Sequence, residues 1–127
     1  MRIFSACIIL SVLAMQAHSS FAQKKLLTQA SCTIVYSLQR SANEYLNDEI
    51  SQLKGQIEKQ NIHFIDLNNW GKTPPHLDLS GRLRNQLRQQ YDLPSNINQA
   101  IVLNKNGKLI SRFTGSVTLV NAMLDCP

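Results

Sequence analysis

Thr33-Ile34-Val35-Tyr36-Ser37-Leu38 and the polar stretch behind it, Gln39-Arg40-Ser41-Ala42-Asn43-Glu44, decide the fold. The first six residues are β-branched, aromatic and apolar, with polar neighbours on both sides, the pattern of a short buried strand. Ser41 to Glu44 has the S-x-x-E form of a capping box and predicts that Ser41 caps a helix. Leu46, Ile50, Leu53 and Ile57 then repeat at helical spacing and mark one apolar stripe. Asp48 and Glu49 precede Lys54 and Lys59, an order that suits the helix macrodipole. Gly55 weakens this helix by about 1 kcal/mol relative to Ala.

Further along the chain, Asn61 ends the helix and Ile62 to Leu67 begins a second strand. Asn68 to Pro75 holds a glycine and paired prolines and reads as a loop. Leu79, Leu83, Leu87 and Tyr91 recur every four residues as a second helix, with Ser80 or Asp78 as cap and Pro94 as its limit. Gln99 to Leu103 is a third strand. Asn106-Gly107 predicts a type I′ hairpin turn, since both central residues there need positive φ. Lys108 to Phe113 returns as a fourth strand. Gly115-Ser116 leads into a short helix with Val117, Val120 and Leu124 as its stripe. The order is βαβαββα, an α/β chain. It predicts a four-stranded mixed sheet with helices on both faces, parallel pairing of the early strands and an antiparallel hairpin.

The N-terminus reads as an address. Arg2, the apolar run Ile3 to Met15 and the small residues Ser20 and Ala22 around Phe21 form a signal peptide over residues 1–22. The apolar run is short of the ~20 residues of a membrane span. We therefore expect a periplasmic or secreted product, residues 23–127, folded as a single domain with no membrane span after cleavage. The whole chain carries a formal charge of +5. Losing Arg2 leaves twelve basic against eight acidic side chains. The basic residues are scattered apart from Arg82, Arg84 and Arg88, and no recognition module accompanies them, so nucleic acid is not an expected partner.

The order βαβαββα resembles the core of the thioredoxin fold, and the tail strengthens that resemblance. Tyr91-Asp92-Leu93, Ala100 to Leu109 with its Lys105-Asn106-Gly107 turn, and Phe113-Thr114-Gly115 resemble the distal half of thioredoxin-like proteins. More specifically, the Leu83 to Tyr91 helix, that turn and the Asp125 to Pro127 end resemble a bacterial family of short exported proteins, domain of unknown function 4174. The resemblance spans essentially the whole mature chain, though each motif is short. In redox members of the superfamily a nucleophilic cysteine opens the helix after the first core strand. Here Gln39-Arg40-Ser41-Ala42-Asn43 stands in that place. The position of the cis-proline before the third strand falls at Gln99, and Pro94 lies too early. Without a low-pKa thiolate, dithiol exchange has no nucleophile.

Cys32 and Cys126 are the cysteines outside the leader. In a fold of this kind the last helix returns its C-terminus toward the start of the first strand, which predicts a Cys32–Cys126 disulfide in an oxidising compartment. A free reactive thiol at one of them, or two inert unpaired cysteines, are the alternatives. His63 and His76 have no cysteine or carboxylate at a metal-ligand spacing, so neither a metal nor a cofactor is expected.

The reading that results is a non-catalytic binding or interaction module for an unknown protein or small-molecule ligand of the envelope. Its candidate surface is Gln39, Arg40, Ser41, Trp70 and Gln99, at the strand ends where α/β sheets usually bind ligands. Thiol-redox or peroxide handling through a single cysteine is the second reading. A third is a small inhibitor that meets an acidic partner through Arg84 and Arg88.

Overall fold

The computed structural model describes residues 27–68, 77 and 79–127. The expected leader, Trp70, His76 and Asp78 lie outside the described residues. The elements are β1 (Cys32–Ser37), α1 (Arg40–Gln52), α2 (Lys54–Gln60), β2 (Ile62–Asp66), α3 (Gly81–Tyr91), β3 (Gln99–Asn104), β4 (Leu109–Thr114) and α4 (Leu119–Leu124). They build one mixed sheet in the order β2-β1-β3-β4, with helices on both faces. This is the thioredoxin-like α/β architecture that the element order predicts.

β1 lies between two neighbours and all six of its residues are buried, which is why its sequence shows an apolar run rather than an alternation. It pairs in parallel with β2, Cys32 opposite Ile62 and Tyr36 opposite Asp66. It pairs antiparallel with β3, Cys32 opposite Asn104 and Ser37 opposite Gln99. The expectation of parallel pairing therefore holds for the first crossover and fails for the second. Both the end of β2 and the start of β3 lie at the Ser37 end of the sheet. Leu77 N–H bonds Phe64 O at 2.9 Å, so the chain has already doubled back before α3 carries it to β3.

Two apolar layers flank the sheet. Ile34, Tyr36, Phe64 and Val102 meet Leu46, Ile50 and Ile57 together with Leu119, Ala122 and Met123 of α4. Val35, Ile65, Ile101 and Leu103 meet Leu27 and, from α3, Leu87 and Tyr91. Burying one such side chain contributes about 1.5–3 kcal/mol, so both layers are needed to offset the entropy of ordering the chain.

Four local expectations are corrected. Ser41 does not cap α1: the helix starts two residues earlier, at Arg40, its N-cap is Gln39, and no side chain caps it. The single helix over Leu46 to Ile57 is two helices, because Leu53 departs from helical geometry at φ −105°, ψ 18°. Only Gly107 of the Asn106-Gly107 pair has positive φ (78°). The hairpin is therefore the longer-looped kind, in which a left-handed residue follows the turn. Asn104 organises it: its side-chain oxygen accepts from Asn106 N at 2.9 Å and from Lys108 N at 3.0 Å. Finally, α4 buries Leu119, Ala122 and Met123, while Val120 and Leu124 are 54% and 76% exposed. A six-residue helix has too few turns for periodicity alone to choose between its two apolar stripes.

The other helix ends follow their sequence signals. Ser80 Oγ accepts from Leu83 N at 3.3 Å and caps α3. Asn61 (φ 54°) and Asp92 (φ 53°) end α2 and α3 in the left-handed region, which these short polar side chains tolerate better than most.

Candidate functional site

The C-terminal ends of β1 and β2 meet the start of β3 and the first turn of α1. Gln39 opens this corner and is tied across it: its N–H donates to Asn98 Oδ1 at 2.6 Å and its Nε2 to Ser95 O at 3.4 Å. Asn98 thus accepts the N–H of the N-cap residue, the bond a capping-box carboxylate makes, and no side chain takes the place expected of Ser41. Asn98 O in turn accepts from Gly115 N at 2.8 Å, so the tail of β4 is held at the same corner. Gln99, opposite Ser37 in the β1–β3 register, accepts from Arg112 Nη1 at 3.0 Å.

Of the predicted surface residues, the structure brings Gln39 and Gln99 to one edge, with Arg40 and Ser41 exposed on the adjoining first turn. Arg40 pairs with Glu44 at 3.4 Å, but both side chains are largely in water, where such a pair contributes little. Trp70 lies outside the described residues.

Beneath this corner runs a chain of side chains that periodicity did not reveal. Tyr36 Oη donates to Asn47 Oδ1 at 2.9 Å, Asn47 Nδ2 to Asn43 Oδ1 at 2.8 Å, and Asn43 Nδ2 to Asp66 Oδ2 at 3.0 Å. Asp66 Oδ1 accepts from the Asn68 N–H at 3.0 Å, and Asn68 Nδ2 donates to Leu38 O at 2.8 Å. Asn68 Oδ1 accepts from Arg88 Nη2 at 2.7 Å. The other arm of Arg88 donates to Ser37 Oγ and Leu93 O, both at 3.0 Å. The chain therefore passes around the strand ends from the α1 face of the sheet to the α3 face.

Burial raises the Tyr36 phenol well above its ordinary range, and the negative Asp66 adds to the shift. Burial lowers the Arg88 guanidinium, as does the neighbouring Arg84 charge, while Asp66 acts in the opposite direction. Arg88 is thus a strut of the fold. The reading in which Arg84 and Arg88 together present a basic face to a partner is corrected, because the Arg88 fork is already engaged by three protein groups. One sequence signal for this network exists. Asn43 and Asn47 share the buried side of α1 with Leu46 and Ile50, and polar residues there need partners.

The cysteines lie at the other end of the sheet. Cys32, at the start of β1, and Cys126, just past α4, form a disulfide with their Cα atoms 5.6 Å apart. Both cysteines among the described residues are therefore bonded, and neither is at the α1 corner. His63 sits half-buried on β2, its Nδ1 without a hydrogen-bond partner, and burial lowers its pKa. Among the described residues no cluster of three or more His, Cys, Asp or Glu is placed to hold a metal ion. None of the described helices is long and apolar enough to cross a membrane.

No protein-family model and no curated protein matches the chain. Among solved structures, the chain is similar to the bacterioferritin comigratory protein of Xanthomonas campestris, studied for alkyl peroxide reduction in trapped intermediate and ligand complexes. The identity is 8%, 76% of each chain is covered, and the TM-score is 0.43.

Proposed function

We propose that this chain is an exported, non-catalytic binding module on a thioredoxin-like scaffold, contacting its ligand through the corner of Gln39, Arg40, Ser41 and Gln99. One observation carries the reading: the helix start where a redox relative would hold its thiol is Gln39-Arg40-Ser41, while Cys32 and Cys126 are bonded at the opposite end of the sheet. A fold whose strand ends and first helix turn are fixed by a side-chain network offers a rigid platform, and rigidity lowers the ordering cost of binding. The proposal includes kinship with domain of unknown function 4174, on the Leu83 to Tyr91 helix, the Lys105-Asn106-Gly107 turn and the Asp125 to Pro127 end.

The test has a chemical arm and a binding arm. Mature protein from the envelope is alkylated with and without prior reduction, and assayed for consumption of hydrogen peroxide and an alkyl hydroperoxide with a thiol donor. No label before reduction, two after it and no peroxide turnover support the binding reading. Labelling of the native protein, or turnover, would replace it with single-cysteine chemistry. In the binding arm, a photoreactive residue at Ser41 should capture a defined partner that the same residue at Asp125 does not. Equal capture from both positions removes the assignment of the surface.

A further inference from the structure

We propose that β4 is a docking edge for an extended acidic peptide, which adds to the sheet as a strand. This surface is separate from the Gln39 corner, so either assignment stands if the other fails. β4 ends the sheet and is bonded on one side to β3; no strand of the described residues pairs with its outer row of backbone groups. Such a row is a template for another chain.

Two further observations describe what the template accepts. Leu109 and Ile110 on this edge are 40% and 43% exposed, so an apolar contact is on offer. Lys105, Lys108 and Arg112 are exposed along the same hairpin, and no Asp or Glu occurs between Asp92 and Asp125. Arg112 is held in place by Tyr91 O, Asp92 O and Gln99 Oε1. These bonds turn the guanidinium over β3 toward the end of α3, so Arg112, engaged like Arg88, is not a free cation of the outer edge. Among the described residues, the free cations of this edge are therefore Lys105 and Lys108, at its hairpin end beside the apolar pair Leu109 and Ile110.

The charge selects the occupant. A second copy of this chain would bring like charges face to face, which destabilises cross-strand pairs. A lipid surface could meet the cations and the apolar pair but leaves the ordered row of N–H and C=O groups unanswered. An extended peptide with acidic side chains answers all three, with main-chain bonds giving affinity and side chains giving choice. The bulge sets its length and direction of contact. Val102 faces Ser111 but Leu103 faces Leu109, so Ile110 is the extra residue and regular pairing is confined to Ser111–Thr114. The fitting segment is thus short, with its acidic side chains and an apolar residue toward the end that reaches Lys105, Lys108, Leu109 and Ile110. Cations and bulges on an edge also serve to keep copies apart; here the same devices admit an anionic strand.

The test uses the purified chain and blocked short peptides of alternating Val and Glu. The controls are the Val and Lys analogue and two forms N-methylated at alternate residues, one for each edge of the peptide. Saturable binding of the Glu peptide that weakens with salt, with slowed amide exchange confined to residues 109–114, is expected. Only one of the N-methylated forms should lose binding, and the Lys peptide should not bind. Lys108→Glu, at an exposed position with its fold checked by circular dichroism, should weaken binding about fivefold. The proposal is overturned by no saturable binding, by equal binding of the Glu and Lys peptides or of the two N-methylated forms, or by protection elsewhere. Binding to phosphatidylglycerol vesicles without peptide binding reassigns the surface to lipid. A concentration-dependent dimer that protects residues 109–114 reassigns it to a second copy.

Discussion

Cys32 and Cys126 are 94 residues apart in sequence and 5.6 Å apart between Cα atoms, so the bridge closes nearly the whole described domain into one ring. Cys32 is 1% exposed in the layer under α4, and a six-residue helix has little stability of its own. The bridge therefore holds α4 onto β1 and β3 as well as restricting the unfolded chain. Cys126→Ser should lower unfolding free energy by about 2–5 kcal/mol. Urea titration of the oxidised protein and the variant measures the difference. An unchanged midpoint would mean that α4 is held by packing alone.

The parts of this fold legible in sequence are those in which a local rule agrees with the tertiary outcome. β1 shows its central place in its apolar run, Ser80 caps α3 as its position predicts, and the pairing of the two cysteines followed from the path of the chain. The misread parts are set by groups distant in sequence. Ser41 has the right spacing for a cap, yet Asn98, across the sheet, takes the Gln39 amide. Arg84 and Arg88 are spaced as one helix face, but Ser37 and Asn68, from separate elements, turn Arg88 inward. Helical spacing in α4 admits two stripes, and only the packing against β3 and α1 shows which one is buried.

Arg88 joins three segments through one planar fork, which an ammonium cannot reproduce. Arg88→Ala should cost about 2–3 kcal/mol, since it leaves Ser37 Oγ, Asn68 Oδ1 and Leu93 O without this donor. Arg88→Lys should recover only part of that loss. Thermal unfolding of both variants checks the order, and full recovery by Lys would show that charge matters and the fork geometry does not.

Asn43 is 0% exposed and stands between Asn47 and Asp66. Asn43→Leu keeps its approximate volume but removes the donor to a carboxylate that is itself 5% exposed. A loss of about 3 kcal/mol is expected. In a double-mutant cycle with Asp66→Leu, the two changes should be less than additive, with a coupling of about 1–2 kcal/mol. Strict additivity would show that the 3.0 Å contact carries no stability of its own.

His63 gives stability an acid-side slope. Its pKa is lowered by burial in the folded chain, and its Nδ1 has no partner to accept a second donated proton. Below the ordinary histidine range near 6.5 the unfolded chain binds a proton that the folded chain resists. The unfolded state then binds more protons, so stability is full above about pH 6.5 and declines as the pH falls through the lowered folded value. His63→Gln, uncharged throughout, should be flatter than the parent between pH 7 and 5. Parallel urea titrations across that range measure both slopes. Identical slopes would place the acid sensitivity in other groups.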